Sequence, residues 1–226
     1  MQQATTPTQP RDPQRPAGPL PHATVVPEAI GARLRSAREE TQTSVRSLAR
    51  TIGVSPSLIS QIETGKANPS VGTLYAIVTA LGVSLEQLFS DGDGQGDAGT
   101  QPSGTDNVVL RANDRPSVEL ASGVRWERLT PSPDPEVDFL YVIYAVGGES
   151  CPPDALMRHS GREYGLVLSG RLGATIGFDS YELEAGDSIV ADSPTPHRFW
   201  TIGDEPAVVV WTVVGRAGDP RAEFRR

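Results

Sequence analysis

Residues 91–106 read DGDGQGDAGTQPSGTD, with five glycines, four aspartates and no hydrophobic residue larger than alanine. Such a segment cannot build a packed core, and its acidic side chains favour solvation. Apolar residues recur with helical spacing before it, whereas after it they form short runs rich in Val, Ile, Tyr and Trp. The chain is therefore predicted to be an α+β protein of two domains, at 28–90 and 107–215, joined by a flexible linker.

Both ends of the chain are expected to lie outside these domains. Residues 1–27 contain seven prolines and no apolar period, which predicts a disordered tail, and residues 216–226 are predicted to be a charged tail. The net charge of −8 is uneven, with +2 over residues 1–90 and −10 over residues 91–226. An acidic chain can therefore still present the local basic face that DNA binding requires.

The sequence also bears on the cellular compartment. No apolar run reaches the length needed to cross a bilayer, and the N-terminus lacks the apolar stretch of a signal peptide. Cys151 is the single cysteine and cannot form an internal disulfide, which suits a reducing environment. We therefore expect a cytoplasmic protein with no membrane partner.

The first domain is predicted to contain five short helices. Serines precede three apolar-periodic runs as N-caps: Ser44, Ser55 and Ser70. Pro56 suits the first position of the third helix, and Gly53 ends the second because glycine tolerates a left-handed conformation. Ser84 is the expected cap of a fifth helix that carries Leu85, Leu88 and Phe89.

The third predicted helix has a polar outer face, made of Ser57, Ser60, Gln61 and Thr64. Two helices joined by a four-residue turn that contains glycine form a helix-turn-helix unit. Short polar side chains can approach base edges, and a glutamine such as Gln61 can pair with adenine through two hydrogen bonds. DNA binding is the favoured interpretation, and a bundle that only packs or dimerises is the alternative.

The segment LARTIGVSPSLISQIETGKANPS, residues 48–70, resembles the Cro/repressor-type (XRE) helix-turn-helix family. The resemblance implies that the helix from Pro56 to Glu63 lies in the major groove of double-stranded operator DNA, with Ser57 and Gln61 at base-reading positions. It implies phosphate contacts at three positions: Ser44, Thr64 and Lys66. The family also pairs an arginine of helix 1 with a glutamate of helix 3, which here are Arg38 and Glu63.

The second domain is predicted to be an all-β sandwich or barrel, because its apolar runs are short and separated by Gly, Pro and Asp. Alternation along a strand places Met157 and His159 on one face. His159, Glu163 and His197 can then converge inside the barrel. The same alternation adds Phe199 to the interior beside Met157, so that an apolar wall borders a polar cluster.

Residues 136–214 resemble the cupin family, a double-stranded β-helix built around a pocket. Cupins commonly bind a metal through three histidines and one glutamate. The resemblance implies His159, Glu163 and His197 as ligands, with Met157 at the position of the first histidine. A thioether is a poor ligand for hard divalent metals. Two possibilities therefore stay open: a metal-free pocket for an organic ligand, or a site for Fe, Zn, Ni or Mn.

Together the two resemblances imply a sequence-specific transcription regulator that is a homodimer and not an enzyme, with a cupin domain that senses a small-molecule effector. The alternative is a mononuclear iron cupin enzyme similar to hydroxypropylphosphonate epoxidase, which has a similar layout and a comparable His-Glu-His set. The polar face of the third helix favours the regulator, since an enzyme has no need of a base-reading surface.

Overall fold

The structure is a computed structural model that describes residues 24–25, 27–83, 85–89, 108–134 and 136–215. The linker predicted at 91–106, the tail predicted at 216–226 and the expected cap Ser84 lie outside the described residues. Within the described part of the chain, no helix is long and apolar enough to traverse a bilayer.

Among the described residues, the helical domain contains four α-helices: α1 (Pro27–Glu40), α2 (Val45–Ile52), α3 (Pro56–Glu63) and α4 (Val71–Leu81). The predicted serine caps are confirmed, because each of the three side chains accepts a hydrogen bond from a backbone N–H in the first helical turn. Gly53 ends α2 in the left-handed conformation, with a φ of 75°. Local capping chemistry therefore sets these helix boundaries.

The prediction of a fifth α-helix is wrong. Residues Leu85–Phe89 form a 3₁₀ helix, so that four α-helices are followed by one tighter turn. Leu85 and Leu88 are almost fully buried, and their three-residue spacing places them on one side of a helix with three residues per turn. A segment this short is held by burial against the bundle, because helix nucleation is unfavourable on its own.

Part of the predicted N-terminal tail is ordered. Thr24–Val25 form a two-residue strand, β1, and α1 begins at Pro27, one residue before the expected start of the domain. β1 pairs in parallel with a strand of the second domain. The short pairing arises from tertiary contact, which a composition argument about prolines does not capture.

The β domain has nine further strands, β2 (Ser117–Leu120), β3 (Val124–Arg128), β4 (Val137–Tyr144), β5 (Arg162–Ser169), β6 (Arg171–Ile176), β7 (Asp179–Leu183), β8 (Ser188–Asp192), β9 (His197–Ile202) and β10 (Ala207–Val214). They form one sheet in the order β1-β2-β3-β4-β10-β5-β8 and another in the order β7-β6-β9. The sheets meet where Phe199 of β9 contacts Trp211 of β10, with ring centroids 4.6 Å apart.

The segment that carries Met157 and His159 is not a regular strand, although burial alternates along it as predicted, with Arg158 exposed between the two. Met157 forms an isolated bridge with His197, in which each backbone N–H donates to the other residue's carbonyl at 2.9 Å. The N–H of His159 donates to the carbonyl of Ser193 at 3.1 Å. Both side chains are buried, so separate backbone contacts, rather than a regular strand, direct them inward.

The helical domain rests against the β domain through α4. The Gly72 N–H donates to the Ser150 carbonyl at 2.9 Å, and the Ala121 N–H donates to the Pro69 carbonyl at 3.1 Å. Val71 and Tyr75, one helical turn apart on α4, are both buried and line a cavity of the β domain. This contact places one face of the helix-turn-helix domain over the polar cluster predicted from the sequence.

Candidate nucleic-acid interface and candidate metal centre

The outer face of α3 is available for contact with a partner. Its polar side chains are all exposed: Ser57, Ser60, Gln61 and Thr64. Ile59 and Ile62, on the opposite face, are buried with 1% and 2% of their surface accessible. Pro56 is also exposed at the start of the helix. The structure therefore places the sequence-predicted reading residues on one accessible surface.

Alpha-helix α3 is held rigidly relative to α1. Arg38 of α1 donates from Nε and Nη2 to the two carboxylate oxygens of Glu63, at 2.6 and 2.9 Å, and this bidentate pair confirms the predicted contact. A third bond runs from Arg38 Nη1 to the Thr43 carbonyl at 2.9 Å. Hydrogen bonding to Glu63 raises the pKa of Arg38 above its usual value. Close packing supports the crossing, since a Cβ at Gly31 would lie 2.2 Å from the Ile62 carbonyl oxygen.

Exposed cationic and polar side chains lie on α2 and just after the end of α3, the segments that flank the reading helix in the sequence. Lys66, after the end of α3, is exposed, as is Ser44 at the start of α2. Arg46 and Arg50, four residues apart on α2, are exposed as well. The sequence analysis did not single out these two arginines, although their i,i+4 spacing away from the buried Leu48 and Ala49 was a usable signal. The surface thus combines polar reading groups with positive charge.

His159, Glu163 and His197 converge in the β domain and are hereafter called the His–Glu–His cluster. One ligand atom from each lies within 4.8 Å of the others, and all three residues are buried. Glu163 Oε1 lies 3.0 Å from Nε2 of His159 and 3.2 Å from Nε2 of His197. Ligands at about 2.1 Å from one ion in adjacent positions are separated by similar distances.

Contacts behind the cluster orient each ligand. Nδ1 of His159 lies 3.0 Å from the Ser160 carbonyl, and Nδ1 of His197 lies 2.8 Å from the Thr195 carbonyl. A carbonyl only accepts, so each Nδ1 carries the proton and each Nε2 lone pair faces the cluster. Trp211 donates from Nε1 to Glu163 Oε2 at 2.8 Å, which leaves Oε1 directed inward. Such support is typical of metal ligands.

Trp211 depends on the absence of a side chain opposite it. Gly165 of β5 pairs with Trp211 of β10, and a Cβ at Gly165 would lie 2.4 Å from the indole ring. The sequence analysis assigned no role to either residue. Trp211 lies in a strand made mostly of valines, and this offered only a weak signal. Its partner Glu163 becomes visible only through the register of the strands.

The cluster has three buried polar atoms without a hydrogen-bond partner among the described residues: His159 Nε2, Glu163 Oε1 and His197 Nε2. No N–H points along the short nitrogen–oxygen separations in this tautomeric state. Buried polar atoms are ordinarily satisfied, and an orphaned set of two imidazoles and one carboxylate suits a divalent ion such as Fe or Zn. The residues present therefore fit a metal.

The neighbouring imidazoles favour an ionised Glu163. Burial by itself would raise the pKa of Glu163, but the two neighbouring imidazoles outweigh it and hold that pKa well below its usual range. Burial likewise would lower the pKa of His197, but the adjacent carboxylate raises it above the ordinary imidazole value. A bound cation would take the place of the proton on His197.

The interior around the cluster is nearly filled. The cavity has a volume of about 10 Å³ and is bounded mainly by apolar side chains, with Met157 and Phe199 among them. A space of this size holds about one water molecule. In this arrangement an organic ligand has no room beside the cluster, whereas an ion between the three ligand atoms needs no further volume.

Tyr75 of α4 closes this cavity and was missed by the sequence analysis. Its ring stacks on the imidazole of His159, with centroids 4.3 Å apart and planes 7° from parallel. It also contacts Trp126 edge-on, with centroids 5.4 Å apart. The signal was present in α4, whose sequence VGTLYAIVTAL is apolar apart from Thr73 and Thr79. Such helices are buried on more than one side.

Comparison with known proteins supports both domain assignments. The family model described as Helix-turn-helix matches residues 34–88, and the model described as Cupin domain matches residues 140–213. The HTH-type transcriptional regulator PuuR of Escherichia coli (strain K12) is 29% identical over 173 residues, which cover 76% of this chain and 86% of PuuR. An uncharacterized HTH-type transcriptional regulator of Mycobacterium tuberculosis is 44% identical over 59 residues, which cover 26% of this chain and 42% of that protein.

A solved structure shows the same fold. The HTH_3 family transcriptional regulator from Vibrio cholerae aligns with a TM-score of 0.62 at 22% identity and covers 84% of this chain and 96% of its own. Hydroxypropylphosphonic acid epoxidase from S. wedmorenis aligns with a TM-score of 0.39 at 21% identity, covering 83% of this chain and 98% of its own, a similarity too low to indicate activity. The chain therefore combines an N-terminal helix-turn-helix domain with a C-terminal cupin domain, and it is similar over most of its length to a protein named as an HTH-type transcriptional regulator.

Proposed function

We propose that the protein is a homodimeric regulator that reads operator DNA with α3 and senses a small-molecule effector at a divalent metal ion in its cupin domain. The observation that carries the proposal is the exposed polar face of α3, held by the bidentate bond between Arg38 and Glu63. A rigid, polar and accessible helix meets the geometric needs of major-groove reading. Enzymatic activity alone would not require that surface.

The proposed contacts divide into two groups. Ser57 and Gln61 project from the exposed face of α3 and are assigned to base edges, with Ser60 and Pro56 beside them. Phosphate contacts are assigned to exposed groups around α3: Ser44, Thr64 and Lys66. Phosphate contacts add affinity and position the helix without reading sequence, whereas base contacts discriminate.

The two groups are expected to respond differently to alanine substitution. Gln61→Ala should weaken binding to a selected operator by about 1–3 kcal/mol and have little effect on random DNA. Lys66→Ala should weaken binding to both DNAs alike and reduce the salt slope by about one unit. In vitro selection followed by fluorescence anisotropy at several salt concentrations measures both effects. Equal losses on selected and random DNA for Gln61→Ala would show that it reads no base.

The metal is assigned to the His–Glu–His cluster on the basis of its three orphaned ligand atoms. Fe, Zn, Ni and Mn all accept imidazole and carboxylate ligands, so the donor set admits each of them. Three protein ligands leave further coordination positions, and a bound metal would use these to hold a ligand with oxygen donors. The chain's own contribution is to orient the donors and exclude bulk water.

The homodimer is proposed to form through the outer face of the larger sheet. Exposed apolar side chains gather there on neighbouring strands: Tyr164, Leu166, Leu168 and Val190. Register places Tyr164 beside Val190 on one side and Thr212 on the other, so that the side chains form a continuous surface. Apolar patches of this kind mark association sites, and two-fold operators need two reading helices.

Leu166→Arg is expected to convert the dimer to a monomer, because it places a charge in the centre of this patch. Multi-angle light scattering should then give half the wild-type mass, and cooperative binding to half-sites about 34 Å apart should be lost. Val146→Arg is the matched control, since Val146 is an exposed apolar residue, 57% accessible, outside the patch. A monomeric wild-type protein that binds its site one-to-one would refute the proposal.

A further inference from the structure

We propose that Tyr75 is a stopper that the DNA-binding domain inserts over the metal site, so that effector binding and docking of α4 on the β domain are mutually exclusive. This inference rests on the proposed function, since it concerns the ligand of the same His–Glu–His cluster. In this proposal, Tyr75 of the helical domain links effector binding in the cupin domain to DNA binding.

Tyr75 covers one side of the His–Glu–His cluster. Tyr75 is 4% exposed and stacks face-to-face on His159, one of the proposed ligands. Val71 and Tyr75 together supply the helical side of the cavity wall. The remaining volume is about 10 Å³, which admits about one water molecule. An effector larger than water needs more room beside the cluster, and we infer that movement of Tyr75 supplies it.

Movement of Tyr75 requires movement of the whole helical domain. Besides Tyr75, α4 buries Leu74, Ile77 and Val78, each 1% exposed, and it packs against α1 and α2 within the helical domain. Closely packed cores resist deformation, so α4 cannot shift alone. Its contact with the β domain includes few backbone bonds, from Gly72 to Ser150 and from Ala121 to Pro69. These bonds and the short pairing of β1 with β2 are the backbone contacts between the domains described above, and we infer that the helical domain leaves as a unit.

Release of α4 would change the spacing of the two reading helices in a dimer. With α4 docked, each α3 has a position set by its β domain. With effector bound and α4 released, that constraint is lost, and the two α3 helices no longer have a spacing imposed by the β domains. Because the coupling is reciprocal, DNA that prefers the docked spacing would oppose effector binding by the same factor.

The chain offers a way to lock the docked state. A Cβ at Gly72 would lie 3.4 Å from the Cβ of Cys151, at the short end of the separations found in disulfides. Cys151 is free, and it is the single cysteine of the sequence. Gly72→Cys, oxidised with diamide, should therefore join α4 to the β domain. The same variant after reduction, together with Gly72→Ser, provides matched controls.

The first experiment uses Co²⁺-loaded full-length protein with acetohydroxamate, which binds metals through two oxygens, followed by the cobalt absorption spectrum. Oxidised Gly72→Cys should lose acetohydroxamate binding, and reduction should restore it. The disulfide keeps Tyr75 over the cluster, so that no conformation able to bind acetohydroxamate is populated. Tyr75→Ala should bind acetohydroxamate about tenfold more tightly than wild type, while Tyr75→Phe should match wild type. Equal affinities in the oxidised and reduced forms would overturn the proposal.

The second experiment needs no metal and separates the stopper from the proposed metal site. Diethyl pyrocarbonate modification of His159 and His197, mapped by mass spectrometry, should be about tenfold faster in Tyr75→Ala than in wild type. Oxidised Gly72→Cys should react more slowly than its reduced form, which covers the case in which Tyr75→Ala does not fold. Equal rates in both comparisons would overturn the stopper. Wild-type protein that takes up no Co²⁺ would contradict the metal site alone.

Discussion

Glu163→Gln is expected to lower the affinity of the protein for a divalent metal ion by more than about 100-fold. Glutamine keeps the shape of the side chain but removes the one formal negative charge among the three proposed ligands. It also presents a neutral amide where two Nε2 lone pairs already converge on Oε1. Losing a direct ligand should cost more than losing a residue behind it, for which a 10- to 100-fold loss is typical.

Isothermal titration with Zn²⁺ or Co²⁺, and metal content after dialysis, measure this effect. Trp211→Phe should give an intermediate loss of about 10- to 100-fold, because Trp211 only orients Glu163 through Oε2. Glu127→Gln is a matched control, since Glu127 is a buried carboxylate, 1% exposed, that pairs with Arg115 and Arg125 away from the cluster. Wild-type metal affinity in Glu163→Gln would remove the metal centre from the proposed function.

The metal affinity should also depend on pH in a definite direction. The pKa of His197 is raised by the carboxylate of Glu163, so the proton leaves this imidazole above the ordinary value near 6.5. A protonated imidazole cannot bind metal. Affinity should therefore increase as pH rises through that elevated pKa and fall on acidification. Titrations across this pH range in the wild-type protein give the transition.

Arg38→Ala is expected to destabilise the protein by about 3 kcal/mol, the lower end of the range for breaking a buried ion pair. The Arg38 and Glu63 side chains are only 11% and 7% exposed, so either substitution leaves the other charge poorly solvated. The residual exposure provides some screening, which is why we place the loss at the lower end. Because the pair fixes α3 against α1, operator affinity should fall as well.

A double-mutant cycle tests the pairing directly. The combined Arg38→Ala/Glu63→Ala variant should lose less stability than the sum of the single variants, since removing both partners leaves no unpaired charge. Urea unfolding of the full chain, followed by circular dichroism at 222 nm, measures each loss. Arg35→Ala breaks the exposed pair between Arg35 and Glu39 and should cause a much smaller change. Additive single losses would contradict the coupling.

Much of the helical domain could be predicted from the sequence because its signals are local. Ser44 and Gly53 act on backbone groups within one helical turn, and the same is true of Ser55 and Pro56 at the start of α3. The fifth helix could not be predicted from such signals. The choice between α and 3₁₀ geometry at Leu85–Phe89 depended on how Leu85 and Leu88 meet the bundle.

The sequence predicted which residues form the His–Glu–His cluster but not the tautomers of its two imidazoles. Their order along the chain, together with the cupin resemblance, named His159, Glu163 and His197. The tautomer of each imidazole follows from carbonyl contacts at Ser160 and Thr195, which exist only in the folded chain. The substitution of Met157 for a histidine left the sequence analysis undecided about a metal, and the three orphaned atoms supply the structural argument for one.

The sequence by itself determined where the capped helices of the first domain begin and end, because capping, periodicity and turn residues act over a few positions. It also shows that α4 is mostly apolar, though not what covers its second face. Only the tertiary structure decided that Tyr75 meets His159 and that Trp211 reaches Glu163. Tyr75 and His159 are separated by 84 positions in the sequence, and Glu163 and Trp211 by 48. Such distant contacts depend on domain docking and on strand register. Short-range sequence patterns carry no information about either.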